Sequence, residues 1–193
     1  MSRPREFDAE HALEQCMEVF WTKGYKSTSF DDLTRRTQVK KQSLYCLFDD
    51  KRALFLKALA LYREQSLAML EDQVSRAGTP VQKLEAIRDT MLFQGDEALS
   101  KGCFMVNSTL EFGTGDEKVT REVEIMFAGV ECILEKVIRS GQEQGCITNR
   151  HTAAALAAHL ATTLLGAQIM AKSGASRERI DTVWQTSFAL ILA

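Results

Sequence analysis

Residues 24–55 read GYKSTSFDDLTRRTQVKKQSLYCLFDDKRALF, and this stretch decides the fold. It predicts two short helices in close succession. The first begins after the N-cap Ser29 and carries two aspartates at the positive end of its dipole. The break falls at Gln38 and Val39, and a second helix covers residues 40–47. Two short helices with so abrupt a join can cross at a steep angle, so that the second protrudes from the body of the protein.

The second short helix is apolar on one face and polar on the other. Leu44 and Phe48 hold the apolar face on neighbouring helices. The polar face suits the major groove of DNA, because lysine binds guanine edges or phosphates, glutamine pairs with adenine, and hydroxyl groups reach bases or phosphates. Charge pattern alone leaves an ordinary solvated helix face as the alternative. The residues of the polar face are Lys40, Lys41, Gln42, Ser43 and Tyr45.

The remainder of the chain also predicts helices. Its 193 residues contain only 2 prolines and 11 glycines, and apolar residues recur at three- and four-residue steps through most of the length. The expectation is an all-α protein of about nine helices, with no strand and no internal repeat. We place an N-terminal three-helix helix-turn-helix domain at residues 1–50 and a C-terminal helical bundle at residues 51–193.

Charge and composition exclude several classes of protein. The net charge is −2, but the first 63 residues contain twelve Lys and Arg against nine Asp and Glu, a mild indication of a DNA-facing end. Five cysteines without a CxxC spacing predict neither a zinc site nor a disulfide framework. We find no signal peptide and no long uninterrupted apolar run, so we expect a cytoplasmic protein with no membrane span, metal or cofactor.

The pattern around the two short helices resembles the DNA-binding segment of the TetR family of bacterial regulators. The resemblance is strong over residues 3–60 and looser beyond them, where helix order and total size agree. It implies a homodimeric repressor whose two recognition helices enter successive major grooves of a pseudo-palindromic double-stranded DNA operator. It also implies release from the operator when the C-terminal part binds a small-molecule inducer. The matching segments are residues 3–5, 19–21, 24–33, 39–45 and 48–55.

The resemblance assigns roles to individual residues by their position. Residues 40–43 stand where the family reads bases, and Tyr45 and Lys51 stand where it typically binds phosphate. The remaining expected contacts come from a helix N-terminus, which is a natural phosphate site, and from an N-terminal arm that would reach the DNA backbone or minor groove. Thr28 and Ser29 belong to the helix N-terminus, and Arg3 and Arg5 belong to the N-terminal arm.

Three departures from the family pattern affect the expected contacts. Gln38 stands in the turn where a small residue, usually glycine, is typical, so a left-handed backbone there would cost some strain. Lys40 replaces the serine or threonine that often begins the recognition helix, which removes a cap and adds positive charge. Cys46 and Leu47 replace a common Tyr-His pair, which removes a phosphate contact. These changes alter the expected contacts and leave the motif intact.

In the C-terminal part the resemblance implies a ligand pocket lined by the central helices. Methionine and phenylalanine make adaptable apolar walls, and Asn107 or Glu111 would orient a polar group of the ligand. Packing in the hydrophobic core is the alternative for each candidate taken singly. The candidates are Met91, Phe93, Phe104, Met105, Asn107, Glu111, Phe112, Met126 and Phe127.

The last two long helices usually form the dimer interface in this family. Here they correspond to residues 153–170, which are rich in alanine, and residues 179–191. Small residues let helices approach closely, which suits a four-helix interface built from two such pairs. Packing of the same side chains inside one subunit is the alternative. The candidates are His159, Ile180, Val183, Trp184, Ser187 and Phe188.

Other functions remain as rivals. Cys103 follows Gly102 at a helix start, where a thiol pKa is lowered. A sensor of electrophiles or oxidants is one interpretation of this cysteine, and a small buried residue is the interpretation we favour. A protein-interaction adaptor that has lost operator binding is a second rival to the repressor. An enzyme is not expected, because the sequence contains no nucleophile–base pair, metal-ligand spacing or phosphate loop.

Overall fold

The computed structural model describes residues 9–92, 95 and 101–193 of the chain. These residues form nine helices, and the all-α prediction is confirmed. Their extended pairing is limited to an isolated antiparallel bridge between Ile147 and Leu192. Arg3, Arg5 and Phe93 lie outside the described residues. The helices are α1 (Ala9–Lys23), α2 (Phe30–Thr37), α3 (Lys41–Phe48), α4 (Lys51–Arg76), α5 (Pro80–Leu92), α6 (Phe104–Phe112), α7 (Glu117–Glu143), α8 (Ala153–Lys172) and α9 (Arg177–Ile191).

Local sequence signals fix the ends of α1 and α2. α1 ends at Gly24, whose φ of 80° is a left-handed conformation that glycine adopts without strain. α2 begins with a capping box, in which the Asp32 N–H donates to Ser29 Oγ at 3.2 Å and the Ser29 N–H donates to Asp32 Oδ2 at 2.9 Å. Lys23 Nζ lies 2.5 Å from Asp32 Oδ1. The hydrogen bonds from Lys23 and Ser29 hold the pKa of the Asp32 carboxyl well below its ordinary value.

The turn between α2 and α3 adopts the left-handed conformation at Gln38, with a φ of 56°. The side-chain amide of Gln38 donates to the Arg35 carbonyl at 2.7 Å, which ties this residue to the preceding helical turn. Lys40 is the N-cap of α3, and its side chain makes no capping hydrogen bond. The helix therefore begins at Lys41, one residue later than the sequence predicts.

The C-terminal bundle is built around the long helices α4, α7 and α8. α7 buries the apolar row that its sequence predicts, which includes Val119, Val130 and Val137. α8 buries a row of small residues, among them Ala157 and Ala161, on its inner side. Alanine side chains let the backbones of two helices approach closely, and this accounts for the extensive packing between α7 and α8.

α8 is the helix of the described residues that is long and apolar enough, by length and composition, to cross a membrane. The sequence analysis finds no long uninterrupted apolar run here, because Thr162, Thr163 and Gln168 interrupt it. A core helix of a globular protein meets the same criteria, and α8 packs against α5, α7 and α9. Its composition is therefore weak evidence for a membrane span.

An aromatic cluster joins the first three helices to the bundle. Phe55 of α4 lies at its centre, with ring centroids 5.2 Å from Phe20 and 5.0 Å from Tyr25. Phe104 and Phe112 of α6 complete the cluster, at 5.7 Å and 5.4 Å from the Phe55 centroid. Such edge-on and offset arrangements are favourable for aromatic rings. Phe104 and Phe112, which we expected in a ligand pocket, pack in this joint instead.

A bidentate ion pair adds to the joint at its edge. Arg52, at the start of α4, donates from Nη2 and Nε to the Asp116 carboxylate at 2.6–3.0 Å. Asp116 is also the N-cap of α7 and accepts from the N–H groups of Lys118 and Val119. The hydrogen bonds from Arg52, followed by those from the backbone, hold the pKa of the Asp116 carboxyl below its ordinary value.

Candidate nucleic-acid interface and ligand cavity

α3 presents its polar face to solvent and buries its apolar face. Leu44 is fully buried and Phe48 nearly so, which fixes the orientation of the helix on its neighbours. Every residue that the sequence assigns to the polar face is exposed. These residues are Lys40, Lys41, Gln42, Ser43 and Tyr45.

The Phe30 ring of α2 supports two of these side chains. The rings of Tyr45 and Phe30 stack with their centroids 4.3 Å apart. Lys41 Nζ lies 5.4 Å from the Phe30 centroid and 5.9 Å from the Tyr45 centroid, within the range of cation–π attraction. Lys41 and Tyr45 are thus restrained before any DNA is bound, which lowers the entropy cost of a contact.

The expected phosphate site at Thr28 and Ser29 is occupied by the protein itself. Thr28 is buried, and its Oγ donates to the Gly24 carbonyl at 2.6 Å. Ser29 uses both its N–H and its hydroxyl on the Asp32 carboxylate, which sits at the helix N-terminus where a phosphate would bind. The two side chains therefore build the turn and the cap.

Lys51 and the end of α3 form the flank of the same surface. Lys51 Nζ lies 4.4 Å from the Tyr25 ring centroid, so this cation is already held against the α1–α2 turn. Cys46 and Leu47, the residues that depart from the family pattern, are exposed next to the recognition face. Leu47 places an exposed apolar side chain there, where it adds no hydrogen bond to phosphate.

A cavity of about 320 Å³ lies between the bundle and α1. Its wall is mostly apolar, with Trp21, Met126 and Phe127 among the larger side chains. Gln168 is also part of the wall. Its Nε2 donates to the Met91 carbonyl at 3.2 Å, whereas its buried Oε1 accepts no hydrogen bond from the described part of the chain.

Three of the nine pocket residues expected from the sequence line this cavity: Met91, Met126 and Phe127. Asn107 lines a smaller, more open groove of about 220 Å³ on the other side of Cys103. Met105 lines neither and is fully buried in the core. Phe93 lies outside the described residues.

Glu111, the remaining pocket candidate, points away from the cavity. Its carboxylate accepts hydrogen bonds from the backbone N–H groups of Tyr25 and Lys26 in the turn between α1 and α2. The sequence predicts a ligand contact for this polar residue in an apolar helix, whereas its carboxylate holds the N-terminal module.

Sequence reasoning missed the part of the wall that α1 provides. Met17, Glu18 and Trp21 line the cavity, although they belong to the predicted DNA-binding domain. Their three- and four-residue spacing on one face of α1 is the signal that could have placed them together. The spacing does not show that this face of α1 packs against the C-terminal bundle.

Cys103 lies in the wall of both the cavity and the smaller groove. The Tyr62 hydroxyl donates to its Sγ at 3.8 Å. Burial raises the pKa of the Cys103 thiol and outweighs the opposing effect of the amides at the start of α6. The expected lowering of this pKa is therefore wrong, and the simpler interpretation of a buried residue fits the resting protein.

The expected dimer residues divide into two groups. Ile180, Trp184, Ser187 and Phe188 are buried inside the single chain, where the Trp184 and Phe188 rings stack 5.8 Å apart. They pack α9 onto the bundle, which is the alternative of packing inside one subunit. His159 and Val183 are exposed.

The outer sides of α8 and α9 carry a different set of apolar residues. Ile169 is 48% exposed, Val183 is 36% exposed and Leu190 is 73% exposed. A Cβ at Gly166 would have no neighbour within 4 Å, so the α8 backbone is open to approach there. Within the described residues, no three His, Cys, Asp or Glu side chains are grouped so that they could hold a metal ion.

The fold and the exposed face of α3 define a helix-turn-helix DNA-binding protein with an attached helical domain. Two family descriptions match the chain. "Bacterial regulatory proteins, tetR family" covers residues 12–58, and "Tetracyclin repressor-like, C-terminal domain" covers residues 80–187. The chain belongs to the tetR family of bacterial regulatory proteins.

Individual relatives agree with this family. The HTH-type transcriptional regulator YezE of Bacillus subtilis is 31% identical, over 99% of this chain and all of its own length. The HTH-type transcriptional repressor ComR of Escherichia coli is 29% identical, over 97% of this chain and 90% of ComR. A cysteine mutant of the TetR family transcriptional regulator CifR, solved with 26-bp double-strand operator DNA, is 28% identical with a TM-score of 0.83, over 98% of this chain and 100% of CifR. The chain is a DNA-binding transcriptional regulator and not an enzyme.

Proposed function

We propose that this regulator is a cytoplasmic repressor that binds a pseudo-palindromic operator as a homodimer and is released when a small molecule occupies the cavity. The observation that carries the proposal is the exposed face of α3, where Lys41 and Tyr45 are held on the Phe30 ring while Gln42 and Ser43 stand free. Lysine, glutamine and serine are side chains that read base edges in the major groove. Tyr45 and Lys51 flank them as phosphate contacts.

A dimer is supported by the uncovered apolar residues of α8 and α9. Ile169, Val183 and Leu190 are exposed in the single chain, and burying them against a second copy would remove apolar surface from water. The open backbone at Gly166 would allow a partner helix to approach closely. A dimer places two recognition helices on successive major grooves. The operator bound by the relative CifR, at 26 bp, is long enough for two such half-sites.

The lining of the cavity suits an inducer that is largely apolar and carries a hydrogen-bond donor. Its methionine and aromatic walls suit an apolar body. The Oε1 of Gln168, which has no partner among the described residues, would accept a hydrogen bond from the ligand. An unpaired buried acceptor is costly, so a matching donor would gain affinity over an analogue without one.

Genomic DNA selection with the purified protein tests the proposal. Selected fragments should share a pseudo-palindromic sequence, and fluorescence anisotropy should show affinity that falls steeply with salt. Lys41→Ala should weaken binding at least about tenfold, because a contact to a base edge in the major groove is lost. Tyr45→Phe, which keeps the ring stack on Phe30, should weaken binding about fivefold because one hydrogen bond is lost.

Lys136→Ala is the matched control, since it removes the same charge from an exposed position on α7. It should bind the selected DNA as the unaltered protein does. If no fragment is enriched, the proposed function is refuted and the adaptor function is favoured. If Lys41→Ala binds the selected DNA as well as Lys136→Ala does, the contact assigned to Lys41 on α3 is refuted.

A further inference from the structure

Glu111 connects the last turn of α6 to the turn between α1 and α2. The Tyr25 N–H donates to Glu111 Oε2 at 2.8 Å, and the Lys26 N–H donates to Oε1 at 2.6 Å. Lys26 Nζ adds a hydrogen bond to the Glu111 carbonyl at 3.3 Å. One carboxylate thus takes two consecutive backbone N–H groups, and hydrogen bonds to an ionised acceptor are the stronger kind.

The turn is shaped to admit this carboxylate. Gly24 has a φ of 80°, and a Cβ built there would lie 2.9 Å from Glu111 Oε2. Any side chain at this position would strain the backbone and displace the carboxylate. The glycine that ends α1 therefore also makes room for the contact between the two parts of the protein.

The same turn determines where the recognition helix lies. Thr28 Oγ donates to the Gly24 carbonyl, and the next residue, Ser29, is the N-cap of α2. The first residue of α2 is Phe30, whose ring stacks on Tyr45 of α3. A displacement of the turn would therefore carry α2 and the recognition face of α3 with it.

The opposite end of α6 lies in the cavity wall. Gly102 and Cys103, which immediately precede α6, line the cavity. The Trp21 Nε1–H donates to the Gly102 carbonyl at 2.7 Å, and the Trp21 ring lines the same cavity. α6 has 9 residues, so it spans about 13 Å between the cavity wall and the turn that Glu111 holds.

We infer that Glu111 is a positioning residue for operator recognition: through the rigid helix α6, its carboxylate ties the α1–α2 turn to the wall of the cavity. A change in the wall that shifts α6 moves the turn and alters the placement of α3. Without the carboxylate, the cavity and the recognition helix respond to each other weakly. This inference rests on the proposed function, because it assigns the route by which the cavity and the operator influence each other.

The test uses the reciprocity of coupling between two sites, so it needs no identified inducer. The probe is the selected operator duplex. Amide hydrogen exchange of residues 101–107, at the cavity end of α6, is followed by mass spectrometry in the free and in the operator-bound protein. Operator binding should slow exchange of this segment by at least about fivefold in the unaltered protein. Residues 145–150, remote from α6 along the chain, serve as an internal reference.

Glu111→Ala should bind the operator about tenfold more weakly, and saturating operator should slow the exchange of its residues 101–107 by less than about twofold. Glu111→Gln keeps the size of the side chain but turns an NH₂ group toward one of the two N–H donors, so it should also lose most of the operator effect. Glu124→Ala removes an exposed carboxylate from α7 and is the matched control. Operator binding should slow exchange of its residues 101–107 as much as in the unaltered protein.

The outcomes separate the inference from the function on which it rests. If the unaltered protein selects no DNA, the proposed function fails. If it binds operator but exchange at residues 101–107 does not change, or if both Glu111 variants retain the change, the inference is overturned and the repressor stands. Should Glu111→Ala unfold, the size-conserving Glu111→Gln variant decides the matter by the same measurement.

Discussion

Gln38 is a non-glycine residue of the DNA-binding module with a left-handed backbone. Its φ of 56° lies in the left-handed region, where a side chain is disfavoured and glycine is not. The hydrogen bond from its side-chain amide to the Arg35 carbonyl, at 2.7 Å, offsets part of that strain. The position is exposed, so neither effect is masked by core packing.

Replacement of Gln38 should separate these two effects. Gln38→Gly removes the strain and the hydrogen bond together, and we expect a net stabilisation of about 0.5 kcal/mol. Gln38→Ala keeps the strain and loses the hydrogen bond, so it should destabilise by about 0.5–1 kcal/mol. Urea unfolding of the three proteins measures both changes. Equal stabilities for the Gly and Ala variants would contradict the strain at this position.

Single residues also indicate how far the sequence could predict the site. The N-cap at Ser29 and the left-handed turn at Gln38 are predictable from the sequence, because their effects are local to the backbone. Thr28, expected at a phosphate, is buried, and its hydroxyl bonds within the turn. Glu111, expected in the ligand pocket, binds partners that lie 85 and 86 residues away along the chain, which local sequence does not indicate.

At the scale of helices, Asp116 links the start of α7 to the start of α4. It caps α7 and makes the bidentate pair with Arg52. Its pKa in the folded protein lies below the ordinary value, so the carboxylate stabilises the fold at neutral pH. That contribution is complete above the unfolded pKa of about 3.9 and is lost as the pH falls through the lower folded value.

Asp116→Asn should therefore destabilise the protein at pH 7, by about 1 kcal/mol, and the difference from the unaltered protein should shrink as the pH falls below the unfolded pKa of about 3.9 and through the lower folded pKa. The change is measured as the free energy of unfolding in urea at a series of pH values. Arg52→Gln removes the same pair from the other side and should follow the same trend. If the difference in unfolding free energy between variant and unaltered protein stays constant with pH, the ion pair contributes nothing to acid sensitivity.

The helices themselves were predictable to a greater degree than the contacts between them. The apolar row of α7 is buried in the structure, as its three- and four-residue spacing predicts. The sequence did not indicate which face of α6 meets which neighbour. Phe104 and Phe112 therefore pack in the aromatic joint instead of lining a pocket. Periodicity identifies a buried face, whereas the partner of that face depends on the packing of the whole chain.

For the whole molecule, the single chain leaves apolar residues uncovered on α8 and α9. Leu190 is the most exposed of them, at 73%, and Gly166 leaves the α8 backbone open. These positions contribute little to packing within the subunit. Their substitution should therefore act on assembly and leave folding of the single chain intact.

Leu190→Glu and Gly166→Gln should each convert a dimer into monomers, because one buries a charge and the other obstructs close approach of helices. Sedimentation equilibrium measures the mass, and circular dichroism should find unchanged helix content. Ile125→Glu places the same charge at an exposed apolar position on α7 and should leave the mass unaltered. Dimeric Leu190→Glu and Gly166→Gln proteins would exclude this face as the interface.

The contribution of α1 to the cavity wall has a consequence for how such a regulator can diverge. Met17 and Trp21 line the cavity from α1, which is also part of the DNA-binding module. Under the proposed function, a substitution there should change inducer selectivity and repression together, whereas Phe127 of α7 and Leu165 of α8 line the cavity from outside that module. New inducer ranges should then arise first by changes in α7 and α8, with α1 varying more slowly.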